Sequence, residues 1–267
     1  MQRPPFFSVV IPTHKRAVLL RRALESVKSQ LCPVPFEVLV VSDASDEATD
    51  AVCLEMLDAT DLYVRRNGKA GPSESRNHAL AHARGRYVLL LDDDDAWHPG
   101  LLAQLHAHPL VQQGEAVYFD CSVIQERRFP DRTETIEEMQ YDLSVQLNED
   151  VFVKNQVHMS CFAFPGDLLD GLRFDPHMRG YEDWEFLLSV FERQMPQHIP
   201  ILGSRIHEVP DLSSDRRGAS EAANDFNAVL DYLYVYRRRP APSLEQKEKR
   251  AALLALAAGM SIPASML

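Results

Sequence analysis

The alternation of two residue patterns in the first hundred positions limits the folds that this chain can adopt. Short runs rich in Val, Ile and Leu alternate with longer stretches whose apolar residues recur at helical spacing. The strand pattern covers residues 6–11, 36–41, 62–64 and 87–91, and the helix pattern covers residues 17–30, 48–57 and 73–83. Strands that alternate with helices form a parallel sheet with helices on both faces. We therefore predict an α/β fold whose ligand site lies beyond the carboxyl ends of the strands.

The pattern becomes less regular after Pro99. Residues 126–150 are polar and weakly periodic, which predicts a loop with short helical pieces, and residues 209–220 predict a mobile loop. The remaining predicted elements are strands at 116–124, 158–164 and 199–207, and helices at 101–105, 183–193, 221–238 and 243–258.

The charge balance excludes one class of partner. With 28 Lys and Arg against 39 Asp and Glu, the net charge is -11, whereas general nucleic-acid binding requires a basic face. An anionic ligand remains compatible with this charge because a metal ion can hold phosphate inside an acidic protein. The four cysteines form no C-x-x-C pair, and the chain shows no signal-peptide pattern and no run of about 18 apolar residues. These features predict a cytoplasmic protein.

Four consecutive aspartates, Asp92 to Asp95, follow the strand predicted at 87–91. Carboxylates at this spacing repel one another, and a divalent cation removes that cost. Oxygen ligands of this kind suit Mg²⁺ or Mn²⁺, which also bind substrate phosphates. Alternate residues of a strand share a face, so Asp92 and Asp94 are expected to point together. The alternative is a solvated acidic turn that caps the helix after Pro99.

Asp43 follows the strand predicted at 36–41. In that position its carboxylate is well placed to accept a hydrogen bond from a nucleotide base or a ribose hydroxyl. The alternative, which the residues alone favour, is a helix N-cap, which Asp43, Ser45 or Asp46 could supply.

The segment Gly71-Pro72-Ser73 is a helix start signal, and it places Arg76 and Asn77 in the first turns of that helix. Free backbone N–H groups at a helix start favour anions, and arginine offers a bidentate fork for phosphate. The alternative is an exposed helix start with an ordinary surface arginine.

Glu182 and Asp183 begin the helix predicted at 183–193, and Trp184 and Phe186 indicate that this helix is well packed. A carboxylate anchored there would be held firmly enough for acid–base work, provided that its environment suits it. The alternative is that both acids only stabilise the helix through its dipole.

Taken together, these segments resemble the family 2 glycosyltransferases, which are inverting enzymes with the GT-A fold. The opening strand and turn match at residues 7–16, the second strand at 40–45 and the diphosphate-side helix at 73–85. The metal-binding Asp-x-Asp segment matches at 91–95 and the catalytic-base motif at 182–184. The resemblance covers about residues 6–207. It departs from the common pattern at Ser42, Ala44 and His14-Lys15, where Asp, Gly and Tyr-Asn are frequent.

The resemblance implies a role for each matched residue. Asp183 would be the general base, supported by Glu182. The ligands of Mn²⁺ or Mg²⁺ would be Asp94, Asp92 and His207, with Asp94 the preferred direct ligand. The nucleotide-sugar donor would be bound by Pro12, Thr13, His14, Arg16, Asp43, Ser73, Arg76, Asn77, Asp92 and Asp93. A packing or surface role for His207 stays open.

The resemblance also implies the substrates: a nucleotide-sugar donor, with UDP favoured, and a glycan or lipid-linked acceptor of bacterial surface polysaccharide synthesis. Residues 1–100 would bind the donor and residues 101–220 the acceptor. His158 is a candidate acceptor contact, although a structural role is favoured for it, and residues 209–218 are a candidate lid over bound donor. Two alternatives remain: a nucleotidyltransferase, and a non-catalytic protein that binds nucleotide sugars. The former normally carries a Gly-rich basic loop after the first strand, where this chain has no Gly.

The helical extension at 221–267 lies outside the resemblance. Its last helix begins with Ser243 and Gln246 at capping-box spacing and carries Lys247, Lys249 and Arg250 before a group of leucines. Packing on the core or against a second copy in a homodimer is the favoured interpretation. A peripheral contact with the inner face of the cell membrane is the alternative, and it would suit a lipid-linked acceptor.

Overall fold

The computed structural model describes residues 4–178, 180–210, 226–259 and 261–267, and side chains are described for all of these except 226–228 and 257–258. The strands are β1 Phe7–Thr13, β2 Phe36–Ser42, β3 Leu62–Arg65, β4 Tyr87–Leu90, β5 Ala96–Trp97, β6 Val117–Arg128, β7 Thr133–Tyr141, β8 Phe162–Pro165 and β9 Gln197–Glu208. The helices are α1 Ala17–Lys28, α2 Glu47–Met56, α3 Pro72–Leu80, α4 Leu101–Ala107, α5 Pro109–Gln113, α6 Glu182–Phe191, α7 Phe226–Arg238 and α8 Leu244–Ala258. Short 3-10 turns cover Glu149–Phe152, Met159–Cys161, Asp167–Leu169 and Ala264–Met266.

The first half of the chain forms the predicted parallel sheet. Strands β3, β2, β1 and β4 lie side by side in that order, and all three pairings are parallel. Every residue of β1 is buried, because α1 covers the sheet with Leu20, Leu24 and Val27. Thr13 pairs with Ser42 at the ends of β1 and β2, so the carboxyl ends of these strands meet at one edge.

The second half extends the sheet with mixed pairing. Strand β8 is antiparallel to β4, and β6, β9 and β5 continue the order beyond it. The loop predicted for residues 126–150 is wrong in its first part, because β6 continues to Arg128 and pairs with β7. Strand β7 is exposed along almost its whole length, so it needs no buried face and carries no alternating apolar pattern that would reveal a strand. The strand predicted at 158–164 begins later, after a 3-10 turn.

The C-terminal helices pack against the second half of the chain. Arg250 of α8 is fully buried and donates hydrogen bonds to the carbonyl oxygens of Phe152, at 2.8 Å, and Arg239, at 2.8 Å. Leu254, one turn further along α8, is also fully buried. These buried contacts agree with the interpretation that α8 packs on the core. Within the described ranges, none of the helices has both the length and the apolar character needed to span a membrane. Most of the lid predicted at 209–218 lies outside the described residues.

Candidate active site

The four aspartates form a turn after β4 and do not continue the strand. The amide N–H of Asp95 donates to the carbonyl of Asp92 at 3.1 Å, as in a β-turn. A turn brings residues i and i+3 together, whereas a strand brings residues i and i+2 to one face. The expectation that Asp92 and Asp94 point together is therefore wrong for this structure, and Asp95 takes the place beside Asp92.

Asp92, Asp95 and His158 form a group of side chains that could hold a divalent cation, since their ligand atoms all lie within 4.8 Å of one another. His158 Nδ1 is 3.5 Å from Asp95 Oδ2, and His158 Nε2 is 3.9 Å from Asp92 Oδ2. Burial raises the pKa of Asp95 to about 7, and the nearby charges of Asp94 and Asp92 act in the same direction. A bound cation would offset the unfavourable burial and mutual repulsion of these carboxylates in their ionised form. Asp95 is not among the metal ligands predicted from the sequence, and His158 is predicted there only as a structural residue or an acceptor contact.

Asp94 and Asp93 face the loop after β1. Asp94 Oδ2 accepts hydrogen bonds from Arg16, at 3.3 Å, and from Arg128 of β6, at 3.1 Å. Asp93 is buried and accepts a hydrogen bond from the hydroxyl of Thr13 at 2.7 Å. Burial and the Asp94 charge raise the pKa of Asp93 to about 6. The predicted donor residues Thr13 and Arg16 thus lie together with Asp93, and Asp94 lies outside the group that contains His158.

His207 lies at the end of β9 beside the same turn. Its backbone N–H donates to Asp95 Oδ1 at 3.0 Å, and its ring nitrogen Nδ1 is 2.9 Å from Glu126 Oε2. Among the described residues, Nε2 has no hydrogen-bond partner although it is buried. Burial lowers the pKa of His207, which favours the neutral ring. A neutral imidazole whose Nδ1–H is held by a carboxylate presents a free lone pair on Nε2, as metal-binding histidines do.

Asp43 directly follows β2, and its contacts differ from those of a helix cap. Asp46 caps α2 by accepting the Thr49 N–H at 3.0 Å, so the N-cap alternative for Asp43 is wrong. Asp43 is buried, contacts His14 Nδ1 through one carboxylate oxygen, and accepts the Gly71 N–H at 2.6 Å through the other. Three predicted donor-site segments therefore meet at this carboxylate. Pro12, also predicted for the donor, is buried within β1 beside β2.

Arg76 is one of the most enclosed cations of the described chain, with 4% of its surface exposed. One guanidinium nitrogen donates to Asp92 Oδ1 at 2.6 Å, and another donates to Glu182 Oε1 at 3.0 Å. The guanidinium carbon Cζ of Arg76 lies over the ring of Phe174, 5.2 Å from the ring centroid. Burial alone would raise the pKa of Asp92, but the charges of Arg76, His158 and Arg16 and the Arg76 hydrogen bond together outweigh it, so the net shift is downward. The alternative of an ordinary surface arginine is wrong.

The other two residues predicted on α3 differ in their contacts. Asn77 donates to the carbonyl of Phe174 and accepts the Phe174 N–H, both at 2.8 Å. Its amide therefore fixes the chain before α6, and its predicted contact with the donor stays a prediction. Ser73 is buried at the start of α3, one residue after Pro72.

Glu182 and Asp183 begin α6 near the aspartate turn: Arg76 joins Glu182 to Asp92, and the charge of Asp183 acts on both Arg76 and His158. Burial raises the pKa of Glu182 despite the neighbouring Arg76 charge. Asp183 is half-buried, and its Oδ1 accepts the backbone N–H of Trp184 at 2.7 Å. A carboxylate that is anchored on a packed helix and still reaches solvent is suited to take a proton from a bound hydroxyl.

Comparison with known proteins identifies the family of this chain. The family model described as Glycosyl transferase family 2 matches residues 8–164. The chain is 32% identical to WcaA of Escherichia coli, whose name assigns it to colanic acid biosynthesis, over 89% of this chain and 82% of WcaA. It is 26% identical to the GalNAc(5)-diNAcBac-PP-undecaprenol beta-1,3-glucosyltransferase of Campylobacter jejuni, over 86% of this chain and 72% of that protein.

Solved structures share the fold at lower sequence identity. Residues 1-349 of Staphylococcus aureus TarS in complex with UDP-GlcNAc superpose with a TM-score of 0.67 and 18% identity, covering 96% of this chain and 73% of that one. The mannosyltransferase PcManGT of Pyrobaculum calidifontis, in complex with GDP-Man and Mn²⁺, gives a TM-score of 0.53 and 20% identity, covering 99% and 78%. The matched family model and the shared architecture lead to one conclusion: this chain belongs to the family 2 glycosyltransferases and has the GT-A fold.

Proposed function

We propose that this chain is a metal-dependent, inverting glycosyltransferase that moves a sugar from a UDP-sugar to a hydroxyl of a glycan or lipid-linked acceptor. The observation that carries the proposal is the double contact of Arg76. Its guanidinium binds Asp92 of the aspartate turn and Glu182 of the predicted base motif at the same time. This contact supports the proposal because it holds the predicted donor-side carboxylate and the predicted base motif at one cation, close together as a single-displacement transfer requires.

Donor recognition is assigned to the carboxyl ends of β1 and β2. Asp43 is buried there between His14 and Gly71, and Thr13 and Arg16 lie against Asp93. A nucleotide placed along this edge would meet carboxylates suited to base N–H and ribose hydroxyl groups. UDP is favoured because the TarS structure holds UDP-GlcNAc. The Mn²⁺ in the PcManGT complex supports a metal-dependent site in this fold.

The residues of the aspartate turn fit a divalent cation. Asp92, Asp95 and His158 bring carboxylate oxygens and an imidazole together, and His207 has a buried nitrogen with no partner among the described residues. Mn²⁺ accepts both oxygen and imidazole ligands. When bound, the cation would neutralise charge on the diphosphate leaving group. The resemblance implies Asp94 as the direct ligand, and Asp94 would become available if Arg16 and Arg128 turned toward the phosphates instead.

Asp183 is the proposed general base. It takes the proton of the acceptor hydroxyl while that oxygen forms a bond to the anomeric carbon. The bond from the anomeric carbon to the diphosphate oxygen breaks in the same displacement, and the configuration inverts. Arg76 holds Glu182 beside Asp183, which fixes the start of α6 against the donor side. No covalent enzyme intermediate is needed in this scheme.

The names of two relatives support the proposed acceptor class. The Campylobacter jejuni protein is named for an undecaprenol diphosphate acceptor, and WcaA is named for colanic acid biosynthesis. A lipid-linked acceptor would bring the protein to the inner face of the cell membrane without any need for α8 to insert. The inward contacts of Arg250 and Leu254 support a packing role for that helix.

The direct test is a panel of nucleotide sugars in a thermal-shift assay with Mn²⁺ or Mg²⁺. A true donor binds the native state and raises the melting temperature. The best donor is then assayed for release of nucleoside diphosphate, with the Asp183→Asn variant as the control. Release of pyrophosphate would indicate a nucleotidyltransferase, and stabilisation without any turnover would indicate a non-catalytic binding protein.

A further inference from the structure

Helix α7 contacts the chain immediately before the predicted catalytic pair. Asp231 Oδ2 accepts the backbone N–H of Gly180 at 3.1 Å. The ring of Tyr232 lies 4.5 Å from the ring of Tyr181, measured between centroids. Helix α7 lies beyond residues 8–164, the part of the chain that matches the family model. Helix α7 therefore touches the two residues that precede Glu182.

Tyr181 has a backbone conformation that its side chain disfavours. Its φ and ψ are 60° and 16°, in the left-handed region, and it is the N-cap residue of α6 without a side-chain capping hydrogen bond. Residues with a Cβ rarely adopt this conformation, and it persists only where the surroundings impose it. The conformation sets the direction in which α6 leaves the preceding loop. It therefore sets where the side chains of Glu182 and Asp183 point.

A cluster of aromatic rings supplies the constraint. The ring of Tyr232 contacts the rings of both Tyr181 and Trp184. Its centroid lies 5.7 Å from the Trp184 centroid. Trp184 is fully buried and its indole N–H donates to the carbonyl of Val151 at 2.7 Å. Tyr236, one turn after Tyr232, meets Trp184 edge-on at 5.8 Å. Tyr232 and Tyr236 are both buried, so the cluster is held on several sides.

We propose that Asp231 and Tyr232 are positioning residues for the catalytic pair, holding Tyr181 in its left-handed conformation so that Asp183 faces the acceptor hydroxyl. This inference rests on the proposed function, in which Asp183 is the base. The donor side is built from β1, β2, α3 and the aspartate turn, and α7 makes no described hydrogen bond to those elements. Loss of the constraint should therefore affect the displacement step more than donor binding.

The test compares Tyr232→Ala in two backgrounds. Alone, it should lower kcat by about tenfold or more, because small misplacements of a reacting group have large kinetic costs. The dissociation constant for UDP-GlcNAc with Mn²⁺, used as the donor probe, should change less than about twofold. In a Tyr181→Gly background the same substitution should lower kcat by less than about threefold, because glycine adopts the left-handed conformation without help. A purely structural role for Tyr232 would give equal losses in both backgrounds.

Hydrogen exchange provides a readout that needs no turnover. Asp231→Ala and Tyr232→Ala should each speed amide exchange in residues 180–185 by about tenfold or more, while peptides of β1 and α3 stay unchanged. Leu230→Ala, at a position of α7 that is 62% exposed, is the matched control and should match the wild type in kcat and in exchange.

The inference is overturned if Tyr232→Ala keeps kcat and exchange within twofold of the wild type, or if Tyr181→Gly fails to reduce its effect. Failure of the proposed function looks different. In that case Asp183→Asn would retain the turnover of the wild type, or the wild type would bind no nucleotide sugar, whatever the exchange measurements at residues 180–185 show.

Discussion

Arg76 and Glu182 are joined by a hydrogen bond of 3.0 Å although they are 106 positions apart in the chain. The same guanidinium binds Asp92 at 2.6 Å. Arginine can serve both carboxylates because its planar fork presents several donors in fixed directions. Since Asp92 belongs to the aspartate turn and Glu182 to the predicted base motif, this one side chain sets the spacing between the two halves of the proposed active site.

Substitution of Arg76 should therefore affect stability and activity together. Arg76→Ala leaves two half-buried carboxylates without their buried cation and should lower the free energy of unfolding by up to about 3–5 kcal/mol. Arg76→Lys keeps the charge but cannot bridge both partners, so transfer should fall at least about tenfold while the fold is retained. Urea unfolding and a nucleotide-release assay measure the two effects. A stable, fully active Arg76→Ala protein would refute the assignment.

Asp183→Asn preserves shape and removes the proposed base. Transfer should fall by about 10²- to 10⁴-fold, the usual contribution of general base catalysis, while donor affinity stays close to that of the wild type. Calorimetry with the best donor and a turnover assay separate the two. Asp170→Asn, which changes an exposed carboxylate outside the site, is the control. Full transfer by Asp183→Asn would show that another group removes the proton.

Metal binding distinguishes the two candidate ligand sets. The geometry predicts that Asp95→Asn and His158→Ala each weaken Mn²⁺ binding at least about tenfold, because both belong to the group whose ligand atoms lie within 4.8 Å. Asp94→Ala should abolish metal-dependent donor binding if Asp94 leaves Arg16 and Arg128 when donor enters. Titration of Mn²⁺ with and without the best donor reports on each variant. If Asp95→Asn and His158→Ala both kept the Mn²⁺ affinity of the wild type, this group would not be the metal site.

The metal-free protein should lose stability as pH rises. The pKa of Asp95 is raised to about 7 and that of Asp93 to about 6, both first by burial. The folded state therefore holds these protons more tightly than the unfolded chain, and the resulting stability disappears as pH passes through the folded pKa values. The melting temperature without metal should fall between about pH 4, near the ordinary aspartate pKa, and about pH 7, the folded-state pKa of Asp95. Saturating Mn²⁺ should weaken the dependence of the melting temperature on pH, and so should the Asp95→Asn substitution. A slope in Asp95→Asn equal to that of the wild type would contradict this.

Helix α8 should behave as part of the folded core. Arg250→Ala removes donors from the carbonyls of Phe152 and Arg239 and should cost about 2–4 kcal/mol of stability. Leu256→Ala, at an 87% exposed position of the same helix, should change stability by less than about 0.5 kcal/mol. Flotation with liposomes that contain anionic lipid should be the same with and without residues 240–267. Loss of flotation on truncation would favour the membrane alternative.

The sequence by itself determined the fold class and the segments of the site. Local periodicity reveals strands and helices that have a buried face, and this is why β1, β2, β4 and α1 were predicted close to their observed bounds. Strand β7 has no such face, so its pattern gave no signal. Polar residues that end buried parallel strands must meet at one edge, which is why Asp43 and the aspartates were recognisable candidates.

Only the tertiary structure decided which carboxylates share a neighbour. A turn at residues 92–95 places Asp92 beside Asp95, and long-range packing brings His158 to both. Neither relationship leaves a periodic signal, because turn geometry and contacts between distant segments depend on the packed whole. The same holds for the contact of Asn77 with Phe174 and of α7 with Tyr181, where distant parts of the chain fix the residues that precede the proposed base.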